Sequence, residues 1–447
     1  MVLENKSKGR EMIPELYTKF CAAIDEHAHF LTKTLNTTIT YLAEQEKGML
    51  SPSIASLLQQ HALTLQLLDK EKLLVCGSYT AIGETKTLLL FSHCPPQHSV
   101  LARWETFVTH LLTFALYSKT IGSIPLNIVW LIDTEEHTED NTRMSSFVES
   151  NRTLFRADGC LYALPPMGSL PAPFLALGTK GVLSIEVGVY TNSSEQHSLH
   201  GAILPDAAWR LTWALNSLKD AREDIRIEGF YDTLVPMGDE EIALLRNMAD
   251  NELALQQRMN VDDFLLHLHG FQLYYTHLLL PTCTVTSIHS GKALEFPHTI
   301  PSFAQASLDI HLVPDQEPED IALKLRAYLD TQGFQDVSTR IRTTRSPQYT
   351  SLRHPFTKTV YNSTHALYGE NIPTFPLLPQ NIAYYPFSSR LNIPVVYTQL
   401  GYSQSQLYER DTVMTGVDEE RQKQFLVKSM KQLAMIIEGM IDASDFT

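Results

Sequence analysis

The chain has 447 residues, of which 44% are hydrophobic and 19% charged, a composition typical of a globular protein with two or three domains. Its net charge of −15 argues against nucleic acid or an anionic membrane as a partner, since both require a cationic surface. The segment from Met1 to Glu15 lacks the apolar core of a signal peptide, and no run approaches the roughly 20 apolar residues of a membrane span. Five widely spaced cysteines form no Cys-x-x-Cys pair, so we expect reduced thiols in a cytoplasmic protein.

The first third of the chain alternates helical and strand patterns. The predicted elements are helices at 14–46, 53–68 and 104–119 and buried strands at 73–76, 87–91 and 128–132. The last two strands and the helix between them form a βαβ unit. We therefore expect a mostly parallel sheet with helices on its faces.

The pattern changes after the proline-rich segment 165–173. The elements predicted beyond it are strands at 182–189, 304–312 and 336–341 and helices at 206–220 and 318–330. A strand at 394–397 and a closing helix at 420–441 return to the first style. We predict an α/β domain, residues 1–179 and 347–447, interrupted by an inserted α+β sandwich domain at 180–346.

A histidine follows the apolar run that ends at Phe91. His93 lies where a buried strand would deliver a metal ligand. Alternation along a strand would place an acidic ligand two residues later on the same face, but that residue is Pro95. The pattern therefore favours a hydrolase scaffold that has lost its catalytic activity.

Three further segments stand out: Thr179-Lys180-Gly181, Pro205-Asp206-Ala207 and Pro314-Asp315-Gln316. They resemble the dimerisation ("lid") domain of the M20 metallopeptidases, and the resemblance extends from about Tyr79 to Ile437. This resemblance implies a zinc-peptidase-like sheet flanked by helices, interrupted by the lid domain.

The resemblance also implies a site with two zinc ions bridged by an aspartate. His93 matches the first ligand of that site, but Ala102 stands at the bridging aspartate. Leu164 and Tyr408 stand at the next aspartate and at the last histidine. Two dications need a bridging carboxylate to offset their mutual repulsion, so we expect no metal cofactor.

The family's paired glutamates fall at Glu136 and His137, or at Glu135 and Glu136 if the alignment shifts by one residue. Glu136 would then be a relict of the general base, and His137 a conceivable replacement ligand. The alternative is a single zinc held by His93 and His137 with a neighbouring acid.

Substrate contacts are retained in part. His197 matches the lid histidine that reaches across the dimer to stabilise an oxyanion in the partner's site. Thr374 stands at a small polar position that contacts substrate. His311 replaces the substrate-binding arginine and cannot form its bidentate pair with a carboxylate.

Two hypotheses follow from these positions. The first is a catalytically inactive M20-like protein that acts as a dimeric binding or assembly subunit. It would form a homodimer through the lid domain, with Trp209 and Trp213 at or near the contact, or a heterodimer with an active homologue. The second is a rearranged zinc-dependent amidase or dipeptidase that hydrolyses a small peptide or amide.

Overall fold

The computed structural model describes residues 2–45, 50–61, 63–68, 74–94, 101–135, 142–164, 173–191, 194–248, 252–291, 298–369, 372–379, 387, 391–399 and 419–443. The chain forms two compact units. Unit 1 comprises Met1–Gly178, Thr350–Phe375 and Tyr385–Thr447, and unit 2 comprises Thr179–Tyr349 and Pro376–Tyr384.

The helices are α1 (Val2–Ala43), α2 (Leu50–Gln60), α3 (Leu101–Thr120), α4 (Thr142–Ser150), α5 (Ala207–Leu218), α6 (Asp239–Met248), α7 (Glu252–Met259), α8 (Gly270–Leu279), α9 (Pro318–Thr331), α10 (Pro355–Tyr368) and α11 (Glu419–Asp442). The strands are β1 (Thr64–Leu68), β2 (Leu74–Tyr79), β3 (Thr87–His93), β4 (Asn127–Asp133), β5 (Gly159–Leu164), β6 (Phe174–Ala176), β7 (Gly178–Thr179), β8 (Gly181–Tyr190), β9 (Gln196–His197), β10 (Thr282–Ser290), β11 (Thr299–Ile300), β12 (Phe303–Leu312), β13 (Val337–Arg345), β14 (Gln348–Tyr349), β15 (Thr374–Phe375) and β16 (Val395–Gln399).

Unit 1 is built on an eight-stranded sheet in the order β1-β2-β4-β3-β5-β16-β6-β15. Its centre, β4-β3-β5-β16, is parallel throughout, as the βαβ pattern predicts. The central strands are largely apolar because helices cover the sheet: α3 packs on β3 and α10 on β16, and α1 and α11 pack against α3 in the same core. Trp130 of β4 is fully buried among phenylalanine rings of α3.

One predicted element of unit 1 is wrong in its second half. The helix predicted at 53–68 ends at Gln60, and the chain continues as β1, which pairs antiparallel with β2. Alternation explains the strand: Thr64 and Gln66 are exposed, whereas Leu63 before them is buried.

Unit 2 contains an antiparallel sheet in the order β10-β12-β8-β13, with α5 and α9 on one face. The period-two pattern of β12 is strict, since Ala304, Ala306, Leu308 and Ile310 are buried and their neighbours are not. Strand β10 and helices α6 to α8 were not predicted from the sequence. The two units together confirm the predicted fold class, a mostly parallel α/β sheet with an inserted α+β unit.

Candidate functional site

The carboxyl ends of the central strands of unit 1 lie at one edge of the sheet, where open α/β sheets place their ligand sites. Strands β3, β4 and β5 end at His93, Asp133 and Leu164. The parallel register of β3 and β4 sets His93 directly beside Asp133. This edge is therefore the candidate site of unit 1.

His93 is buried, with 4% of its surface exposed. Its Nε2 atom lies 2.8 Å from the backbone carbonyl oxygen of Glu135. A carbonyl oxygen can only accept a hydrogen bond, so Nε2 carries the proton and donates. In this arrangement Nε2 offers no lone pair to a metal ion.

Asp133 is a buried carboxylate that sequence analysis missed. It is 5% exposed, and its Oδ1 accepts the backbone N–H of Glu135 at 2.9 Å. Its backbone carbonyl accepts the N–H of Cys94 at 2.7 Å. One sequence pattern could have revealed Asp133. It directly follows a predicted buried strand, at the same level as the histidine that follows the neighbouring strand.

The neighbouring side chains that the structure describes are hydrogen-bonded within unit 1 or apolar. The hydroxyls of Ser51 and Thr134 are 3.0 Å apart, and the indole N–H of Trp130 donates to Ser92 Oγ at 3.0 Å. Leu164, at the position of a family metal ligand, is 1% exposed. These groups stabilise the strand ends and supply no further carboxylate.

Glu136, His137 and Tyr408 lie outside the described residues, and their assigned roles stay predictions. Across the described ranges, no group of three or more histidine, cysteine, aspartate or glutamate side chains is arranged to hold a metal ion. His93 with its engaged Nε2, together with Asp133, does not make the donor set of a two-zinc centre.

Unit 2 holds His197 in a different environment. His197 is exposed, and its Nδ1 accepts the backbone N–H of Leu199 at 3.3 Å. In the neutral imidazole the proton is then on Nε2, which makes that atom a hydrogen-bond donor. The lid position therefore retains the donor that its predicted role requires.

The other two residues that the resemblance places at substrate-binding positions are less accessible. Thr374 is 3% exposed, and its hydroxyl lies 3.3 Å from His365 Nε2, so it contacts its own unit. His311 lies on β12, where burial and then the nearby charge of Lys180 lower its pKa. His311 is therefore neutral at neutral pH and does not replace the charge of an arginine.

A second buried carboxyl group, Glu105, lies on α3. It is 5% exposed, and burial raises its pKa to about 7 despite a hydrogen bond from Gln422. Gln422 Nε2 is 3.4 Å from Glu105 Oε1 and 2.7 Å from Asn36 Oδ1. This network joins α1, α3 and α11.

None of the helices in the described part of the chain has the length and apolar character needed to span a bilayer.

Residues 177–337 match the family model described as the peptidase dimerisation domain of M20 proteins. The chain is 24% identical over 160 residues to the probable di- and tripeptidase DUG2 of Saccharomyces cerevisiae, covering 35% of this chain and 17% of that protein. It is 28% identical over 163 residues to the β-Ala-His dipeptidase of Rattus norvegicus, covering 35% and 32%. The matched segments thus span less than a third of each of these curated relatives.

A solved structure covers far more of the chain. The M20 family metallo-carboxypeptidase Sso-CP2 of Sulfolobus solfataricus superposes with a TM-score of 0.74 at 18% identity, over 90% of this chain and 99% of that one. At this identity the similarity establishes the fold alone. The resemblance predicted from the sequence is confirmed: the chain has the fold of M20 metallopeptidases and carries their dimerisation domain at residues 177–337.

Proposed function

We propose that this chain is an M20 metallopeptidase-like protein without peptidase activity, which acts in the cytoplasm as a dimeric binding or assembly subunit. The loss of activity is supported chiefly by the burial and hydrogen bonding of His93. The one family ligand that is retained and described is buried, and its Nε2–H donates to a backbone carbonyl. Alanine at 102 and leucine at 164 remove two of the carboxylates that would compensate two dications.

Metal content tests this part of the proposal. The purified protein is incubated with zinc, desalted and submitted to elemental analysis, beside an active M20 dipeptidase treated in the same way. We expect no stoichiometric zinc in this chain and no hydrolysis of a dipeptide panel. Two zinc ions per chain, or dipeptide hydrolysis that His93→Ala abolishes, would refute the loss of activity.

The outer edge of β10, with which no strand in the described ranges pairs, supports the dimer. This nine-residue strand contains no lysine, arginine, aspartate, glutamate or proline, the residues that usually protect an edge from pairing. Val285 and Ile288 pair with Leu308 and Ala306 of β12, whose side chains face the helices. Val285 and Ile288 are nevertheless 44% and 66% exposed. Helix α5 packs on β8 and β12 and leaves these two side chains uncovered.

A second lid placed against this edge would pair the two β10 strands and bury the four apolar side chains. A two-fold axis gives such a contact naturally, since the same surface serves both copies. The partner is a second copy of this chain or an active homologue, to which this chain would lend His197. Light scattering on the pure protein distinguishes these partners, because only the first gives a dimer without an added subunit.

One observation favours the alternative function, a rearranged zinc-dependent amidase or dipeptidase acting on a small peptide or amide. Asp133 stands beside His93 and is buried, so an imidazole and a carboxylate share one strand edge. About one zinc per chain, lost in both His93→Ala and Asp133→Asn, would support this alternative over the first proposal.

A further inference from the structure

A shallow pocket lies on unit 2 beside the first half of α5. Its volume of about 440 Å³ is within the range of small-ligand sites. Leu204 and Pro205 with the indoles of Trp209 and Trp213 form its apolar wall, and Asp336 borders it at the start of β13. Because β13 and β10 are opposite edges of the sheet, this pocket is separate from the proposed dimer edge.

Trp209 and Trp213 are the residues that indicate a ligand. They lie one turn apart on α5 and are 57% and 55% exposed, whereas Trp104 and Trp130 are buried. Their ring centroids are 6.0 Å apart at an interplanar angle of 30°. This spacing leaves no room for a group between the rings, so a ligand would contact their outer faces. Indoles exposed to this extent in a concave site are typical of binding surfaces.

The charges that line the pocket select against an anion. Arg210 Nε lies 2.9 Å from Asp336 Oδ2, and its guanidinium stacks over the ring of Phe334 at 4.5 Å, so its charge is already paired. Asp206 adds a second carboxylate, which caps α5 by accepting the N–H of Ala208 at 2.8 Å. The helix amino terminus offsets part of that charge. The lining residues therefore carry a formal charge of −1, with no unpaired cation.

We propose that this pocket binds a small organic cation that carries an alkylated ammonium group. The faces of indole rings attract such cations more strongly than the faces of other aromatic side chains do. The alkyl groups would contact Leu204 and Pro205, and the carboxylate of Asp206 would complement the charge. The net charge of −15 raises the local concentration of any cation.

Tryptophan fluorescence tests this proposal, because only Trp209 and Trp213 are on the surface among the four tryptophans. The probes are choline and its neutral isostere 3,3-dimethylbutan-1-ol, with a trimethyllysine peptide as a third arm. We expect saturable quenching by choline and binding of the isostere weaker by at least about five-fold. Tighter binding of the peptide than of choline would assign the cation to a protein partner rather than a free metabolite.

Two variants separate the roles of ring and charge. Trp209→Ala should abolish the saturable quenching. Asp206→Asn keeps an equally good helix cap but removes the charge, so it should weaken choline binding and leave the isostere unchanged. Equal affinity for choline and isostere, no saturable quenching, or unchanged binding in Trp209→Ala would overturn the proposal. A monomeric variant of the β10 edge should still bind choline, so this test is independent of the dimer.

Discussion

Two histidines that the family resemblance assigns to one active site have opposite environments in this chain. His93 is 4% exposed and donates its Nε2–H to the carbonyl of Glu135 within unit 1. His197 is exposed, and its Nδ1 accepts the N–H of Leu199, so its Nε2–H remains a donor. The imidazole of His93 is therefore engaged within unit 1, whereas His197 in unit 2 keeps an Nε2–H that can donate to another molecule.

The two edges of the unit 2 sheet repeat this contrast between internal and external roles. Strand β13 carries Arg340, Arg342 and Arg345, and Arg342 forms an ion pair with Glu186. Charges of this kind keep an edge strand from pairing with another chain. Strand β10 lacks them and exposes apolar side chains on its helix-facing side. One substitution on each edge strand tests whether only β10 pairs with another chain.

The largest expected effect comes from placing a charge on the edge of β10. Val285→Lys would bring two lysines together across a two-fold contact and desolvate both, so the dimer dissociation constant should rise by at least about 100-fold. Sedimentation velocity at micromolar concentration measures the change.

Ile341→Lys on β13 is the matched control, because Ile341 is 46% exposed and Val285 is 44% exposed. We expect Ile341→Lys to leave the dissociation constant within about two-fold. Equal dissociation in both variants would contradict the role assigned to β10.

The second effect compares the two histidines by their contribution to stability. His93→Ala removes a buried imidazole and its hydrogen bond to the Glu135 carbonyl and opens a cavity, so it should lower the free energy of unfolding by about 2 kcal/mol. His197→Ala removes an exposed side chain and should change that free energy by less than about 0.5 kcal/mol. Urea denaturation followed by circular dichroism measures both. Similar losses in the two variants would refute the contrast between a packed and an accessible histidine.

The third effect concerns Glu105, the buried carboxyl group of unit 1. Its pKa is raised to about 7, so between pH 4.5 and 7 the unfolded chain releases this proton while the folded chain keeps it. Stability therefore falls as pH rises through this range. Glu105→Gln has no proton to lose and should be more stable than the wild type by about 2–3 kcal/mol at pH 8, with no gain at pH 4.

Glu438→Gln is a suitable control. Burial raises the pKa of Glu438 in the same direction, to about 7, but this side chain is only partly buried. We expect a smaller gain because solvent screens a partly exposed charge. A pH-independent difference between Glu105→Gln and the wild type would mean that packing, rather than the proton, causes the change.

Much of the fold could be predicted from the sequence because its periodicities are strong. The strict alternation of β12 and the apolar runs of β3 and β4 correspond to strands whose faces are buried as predicted. Strand β10 was missed because its residues beyond Cys283 are exposed on both faces, so no apolar alternation marks it. A strand that a partner would cover gives little periodicity of its own.

The candidate site was less predictable. The resemblance located His93 at a strand end, but no sequence pattern shows that its Nε2 would meet the carbonyl of Glu135. Trp209 and Trp213 were expected at or near the lid contact. The structure leaves both exposed beside a pocket bordered by Asp336, and their place at a lid contact stays a prediction.

The smallest expected effect lies in the turn before α8, where two histidines meet two carboxylates. His269 Nδ1 lies 2.7 Å from Glu252 Oε1, and His267 contacts Asp263. Leu266 and His267, both at φ 55°, adopt the left-handed conformation, which the Cβ atom of any residue other than glycine disfavours. The two histidine–carboxylate contacts therefore flank a strained turn.

Glu252 raises the pKa of His269, and the histidines lower the pKa of Glu252 and Asp263. A raised histidine pKa gives stability that is complete below the unfolded value and is lost as pH rises through the folded value. Amide exchange of this turn, normalised to intrinsic rates, should therefore accelerate between pH 6 and 8 in the wild type. His269→Ala should exchange fast at both pH values, whereas His200→Ala, at an exposed histidine of the same unit, should behave as the wild type. Exchange that does not depend on pH in the wild type would show that the turn is held by its backbone rather than by these ion pairs.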